Sequence, residues 1–234
     1  MDYTGIRVKV RELMMANGVA GLFKFSLITL LAILCISIVS GVVSAVINIP
    51  VGIISNVFDD NAIAMVLTIV GSLATTAVSF VFISIFAVGL ANMYKNFVLT
   101  GVLKLQDLFI VLQNGSLATV VKTMLLMFIQ IFWRTLLCFV PGILYSFKVI
   151  LVPFILTENP DMTSKDILAL STEMMNGCKM DLFVCQLMCI PFVLLGSLLS
   201  CCTLSLSYEA AYMYLISVQA AFYAIRVQDY NGNE

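Results

Sequence analysis

Long apolar runs separated by short polar breaks occupy about 22–47, 62–91, 119–140, 143–157, 182–202 and 206–226 of the chain. A helix needs roughly 20 apolar residues to cross the hydrocarbon of a bilayer. The pattern therefore predicts about six transmembrane helices. Asn48 and Pro50 close the first run, and Pro141-Gly142 separates the third from the fourth. The second run is long, so it must tilt or extend past the bilayer. Pro153 interrupts the short fourth run and Pro191 the fifth. Proline is tolerated in a membrane helix when neighbours satisfy the freed carbonyl. The expected fold is all-α: one polytopic membrane helix bundle over residues 1–234.

Between the runs, polar and apolar residues mix. The N-terminal piece, 1–21, carries Ile6, Val8, Val10, Leu13 and Met14 among Arg7, Lys9 and Arg11. That suits a helix over 3–18 lying on an anionic inner leaflet. The first run is too long for a signal-peptide core, so it reads as a retained anchor. Residues 94–113 predict a second interfacial helix, with Phe97, Leu105, Leu108, Phe109 and Leu112 on its apolar side and a left-handed cap at Asn114-Gly115. The third piece, 158–181, predicts an elbow. Asn159-Pro160 makes a turn, Thr163 with Asp166 resembles a capping box, and Ile167, Leu170 and Met174 repeat at helical spacing up to Gly177.

Composition strengthens the membrane assignment. Of 234 residues, 62% are hydrophobic and 11% charged, whereas soluble domains carry about 25% charged residues. Net charge is -1, which excludes a basic field for nucleic acid. The absence of His excludes imidazole ligands and bases. The seven Cys (Cys35, Cys138, Cys178, Cys185, Cys189, Cys201 and Cys202) lack zinc-ligand spacing. They read as small buried hydrophobes, with a disulfide among Cys138, Cys201 and Cys202 as the alternative. No cofactor or metal is expected.

Basic residues set the orientation. Arg7, Lys9, Arg11 and Lys24 flank run one; Lys95, Lys104 and Lys122 lie between runs two and three; Lys165 and Lys179 lie between four and five; Arg226 closes run six. Ten of the 12 Lys and Arg thus fall on one side, which the positive-inside rule makes cytoplasmic. Both termini and the elbow are then expected in the cytoplasm of a bacterial cell membrane, with Asp59 and Asp60 outside.

Small residues at four-residue spacing (Ser37, Gly41 and Ala45; Gly71, Thr75 and Ser79; Gly196 and Ser200) predict close helix contacts. Ionisable residues inside runs are costly and face protein or water. Arg134 and Lys148 lie equally far from Pro141, and Glu209 lies near the same end of run six. They are expected to share one outward-facing polar region. It would be an ion pair with a spare base snorkelling, or a wet pocket for a small anion or anionic lipid. Ser146 and Lys148, two residues apart, point away from each other on a helix, so they form no dyad.

The C-terminal half resembles a bacterial membrane family catalogued as domain of unknown function 975. The resemblance begins with Asp107-Leu108-Phe109, Trp133, Leu136 and Pro141-Gly142-Ile143. It runs through Ile155-Leu156-Thr157-Glu158-Asn159-Pro160, then Ala169, Ser171, Met174, Met175, Gly177, Lys179 and Leu182-Phe183, to Ala221-Phe222-Tyr223. It covers roughly 105–225 and implies a multi-pass bacterial membrane protein without an assigned activity. The family often has Lys where this chain has Tyr145, its own Lys coming later at Lys148.

The functional expectation is a non-catalytic permeation or export component. The alternative is an accessory or assembly subunit that docks on a partner membrane protein or on its own copies. An intramembrane lipid-modifying enzyme ranks last, since residues for acid–base chemistry are missing.

Overall fold

The computed structural model describes residues 3–16, 18–57, 61–113, 115, 117–200 and 206–231. The elements are α1 (Tyr3–Ala16), α2 (Gly18–Val57), α3 (Asn61–Thr100), a 3-10 turn (Leu105–Phe109), α4 (Ile110–Gln113), α5 (Leu117–Leu137), α6 (Phe139–Lys148), α7 (Val152–Glu158), α8 (Ser164–Met174), α9 (Lys179–Leu187), α10 (Ile190–Leu199) and α11 (Leu206–Asn231). The fold is an all-α bundle, with no strand among the described residues.

Five stretches among the described residues are long and apolar enough to cross a membrane: Met65–Thr100, Leu117–Leu137, Phe139–Glu158, Lys179–Leu199 and Ser207–Tyr230. In α2 the qualifying described stretch is shorter, Ser37–Ile53. Their outer faces are apolar; Ile38, Leu73, Leu137 and Leu198 are all more than 60% exposed. Water would penalise such a surface and lipid would not, so the chain is a membrane protein.

Helices α2 and α3 have 40 residues each. At 1.5 Å per residue each is about 60 Å long, twice the roughly 30 Å hydrocarbon thickness. The α2 helix passes through Pro50 to Val57 rather than stopping at Asn48. Asn48 does not break it, because its amide donates back to the Ser44 carbonyl (2.9 Å) and across to Thr75 Oγ1 (3.2 Å). Ser40 and Ser79 hydroxyls also meet, at 2.9 Å, and Gly71 lies against Asn48 and Val51. The small-residue row of α3 is therefore the contact face. On α2 the partners are Ser40, Ser44 and Asn48, while Ser37, Gly41 and Ala45 are exposed. Gly196 packs on Ser207 and Ala211 of α11.

The interfacial helix expected over 94–113 does not form. The α3 helix continues through Lys95 to Thr100, because Tyr94 and Phe97 are fully buried in the core. Gly101 then turns the chain with φ 72°, and the 3-10 turn docks back on α3, where Asn92 Nδ2 donates to the Asp107 carbonyl at 3.0 Å. Gly115 has the expected positive φ, 65°; Asn114 lies outside the described residues. The N-terminal helix α1 buries Val10 and Met14 against the bundle. Side chains of Arg7, Lys9 and Lys24, and residues Asp59, Asp60, Cys201 and Cys202, lie outside the described set.

The α5–α6 hairpin turns at Cys138, not at Pro141-Gly142. Cys138 alone is extended (φ -162°, ψ 134°). Pro141 sits in the first turn of α6, where its missing N–H costs nothing. Gly142 brings the two helices together: a Cβ there would lie 2.7 Å from Thr135 Cα. Cys138 and Cys178 are free thiols, and Cys185 and Cys189 are buried.

Candidate functional site

The run-four span breaks at 149–151. Val152 N–H bonds to the Val149 carbonyl (3.1 Å) instead of Lys148. The freed Lys148 carbonyl accepts from the buried Ser171 hydroxyl of α8 at 2.8 Å. In the same last turn of α8, Arg226 of α11 donates from Nε (2.9 Å) and Nη2 (2.6 Å) to the Met174 carbonyl. The cap at the start of α8 has the expected form, with Thr163 Oγ1 accepting from Asp166 N–H at 3.4 Å. Asn159 ends α7, its N–H bonding to the Ile155 carbonyl at 2.9 Å. Pro160 follows in the turn, and Gly177, with φ 80°, starts the chain toward α9. Thus α8 is clamped against α5, α6 and α11.

This clamping builds a cavity of about 610 Å³ at the junction of the α5–α6 hairpin with α8 and the start of α9. Its chemistry comes from Gln130, Arg134, Tyr145, Lys148, Glu173 and Lys179, with Thr172 and Asn176 as further polar wall. The Arg134 guanidinium carbon lies 3.6 Å from the Tyr145 ring centroid, a cation–π contact. Arg134 Nη1 also donates to the Gln130 carbonyl at 3.3 Å, and the Tyr145 hydroxyl donates to Gln130 Oε1. Arg134 is thereby held in place, while its remaining donors stay available.

Ion pairs among the described residues are Lys95–Glu158 and Arg226–Asp229. Arg134, Lys148 and Lys179 thus have no ion-pair partner among them. Three bases and one acid, Glu173, leave the cavity a surplus of positive charge.

Glu209 does not join Arg134 and Lys148. It lines a different cavity, with Ile33, Phe86 and Tyr212. The expected ion pair with the two bases is therefore absent. The cavity also abuts the elbow, through Glu173, Asn176 and Lys179, rather than an outer surface near Glu209. Equal spacing of Arg134 and Lys148 from Pro141 matches their depths only if the hairpin turns at Pro141 along straight helices. The actual turn at Cys138 comes four residues after Arg134 and ten before Lys148, and α8 folds back to meet both. No protein-family model, curated protein or solved structure matches the chain.

The remaining motif residues divide by role. Trp133 and Pro141 are exposed on the apolar exterior, so they face lipid rather than a site. A second polar cluster escaped sequence reasoning. Lys95 Nζ reaches Thr157 Oγ1 at 2.8 Å and Glu158 Oε1 at 3.3 Å. The Tyr223 hydroxyl donates to Glu158 Oε2 at 2.6 Å. Lys95 fell in the interfacial helix expected over 94–113, outside run two; the flanking Tyr94 and Phe97, which continue the helical pattern inward, were the available signal.

Proposed function

We propose that this membrane protein binds an anionic, phosphate-bearing ligand in the cavity between α5, α6, α8 and α9, as a non-catalytic permeation or export component. One observation carries the proposal: Arg134, Lys148 and Lys179 converge on a single cavity with only Glu173 to oppose them. Arginine and lysine donors suit phosphate oxygens, and cations at this depth need compensation. The accessory-subunit reading remains the alternative, in which a partner supplies the anionic group. The resemblance over 105–225 supports membership of the bacterial family named above.

Binding of inorganic phosphate and of phosphatidylglycerol to the purified protein in neutral detergent tests the proposal. Arg134→Gln combined with Lys148→Gln should weaken the binding about tenfold or more, equivalent to at least about 1.4 kcal/mol. Unchanged affinity in the double variant would sink it.

The charge split of the flanking residues supports cytoplasmic termini and a cytoplasmic elbow. On that orientation the cavity brings Glu173, Asn176 and Lys179 of the elbow against Arg134 of the α5–α6 hairpin. A single cysteine at position 165, in a Cys-free background, should resist an impermeant maleimide applied to intact cells and react after permeabilisation. Reaction in intact cells would reverse the orientation.

A further inference from the structure

Glu209, separated from the cationic cavity, sits in the first turn of α11 and is only 4% exposed. Its Oε2 atom has no hydrogen-bond partner among the described residues. Neither ion pair among those residues involves it. It borders a cavity of about 300 Å³, walled by Ile33 of α2, by Ile83, Phe86 and Leu90 of α3, and by Tyr208 and Tyr212 of α11. The two tyrosine rings stack, with centroids 6.3 Å apart and planes 11° from parallel.

A carboxylate buried without a counter-charge is costly in a membrane helix bundle. The cavity gives it room for one from outside. The wall decides which kind. A hard metal cation needs several oxygen ligands, and this wall is mostly carbon. Aromatic rings attract weakly hydrated organic cations. We propose that this cavity binds an organic ammonium group, with Glu209 as counter-ion and Phe86, Tyr208 and Tyr212 as its aromatic wall. The site is independent of the anion-binding proposal, since the two cavities share no residue.

The test uses the full-length protein in neutral detergent, with tetramethylammonium as the probe and tert-butanol as its neutral counterpart. Tetramethylammonium should bind saturably and raise the unfolding midpoint, while tert-butanol and matched sodium chloride do not. Glu209→Gln should weaken that binding about tenfold or more, whereas Arg134→Gln should leave it unchanged. In the wild-type protein, tetramethylammonium should also protect Glu209 from an apolar carbodiimide, read by mass spectrometry. That second measurement decides the matter if Glu209→Gln does not fold. An equal response to tert-butanol, a wild-type response in Glu209→Gln, or no protection of Glu209 overturns the proposal; a carboxyl that stays protonated and uncharged produces the first two.

Discussion

Glu158→Gln is expected to destabilise the protein by about 2–3 kcal/mol, seen as a lower unfolding midpoint in detergent. The cluster it breaks joins three helices: Lys95 of α3 pairs with Glu158 at the end of α7, which also accepts from Tyr223 of α11. Phe154 stacks on Tyr223 beside it, with centroids 5.4 Å apart. The Lys95 side chain is 8% exposed and that of Glu158 37%. Removing one partner of a fully buried pair costs about 3–5 kcal/mol, because the other charge is stranded. Solvent reaching Glu158 screens part of this, hence the smaller figure. Lys95→Met added to Glu158→Gln should recover stability relative to Glu158→Gln alone, since the stranded charge is gone. Additive losses in the double variant would show that the pair does not hold these helices together.

Gly89→Ala should cost a comparable amount for a different reason. A Cβ at this position would lie 2.1 Å from the Leu108 carbonyl oxygen and 3.0 Å from its carbon. Both atoms are backbone, so no rotamer change relieves the clash. The 3-10 turn that carries them is tied to α3 by Asn92, and Leu108 is buried beneath it. The methyl must push the whole turn off α3, and overpacking of this kind costs about 1–3 kcal/mol. Gly41 is the control. It is also inside a helix, but nothing lies within 4 Å of its Cβ position. Gly41→Ala should therefore be neutral or stabilise the helix by up to about 1 kcal/mol. Equal midpoints for Gly89→Ala and wild type would mean that the turn does not dock as described.

Much of the local structure was legible along the chain. Apolar runs of membrane length became helices because their backbone groups have no other partners in lipid. Thr163 and Asp166 announced the start of α8, Gly115 announced a left-handed turn, and Gly177 announced the chain's exit from α8. The row of Gly71, Thr75 and Ser79 marked the face of α3 that meets α2. Each of these signals acts over one or two helical turns, which is the range that periodicity and capping can report. Arg134 and Lys148 line one cavity because the residues between them form a hairpin.

Partner choice between distant helices was decided only by the tertiary structure. Periodicity says which residues share a face, not which helix that face meets. Glu209 seemed matched in depth to two bases, yet α11 turns it toward α2 and α3. Lys95 looked like a flanking charge, yet α3 runs on and buries it against α7. Lys179 and Glu173 enter the cationic cavity only because α8 is clamped near its C-terminal end, where Ser171 donates to the Lys148 carbonyl of α6 and Arg226 donates to the Met174 carbonyl. Composition and spacing alone therefore determined an all-α membrane protein with basic residues at unusual places. Which of those charges are paired, and which are left to face a cavity, followed from a one-residue turn at Cys138, a helix break at 149–151 and a folded-back α8, because each reorients a whole helix relative to its neighbours.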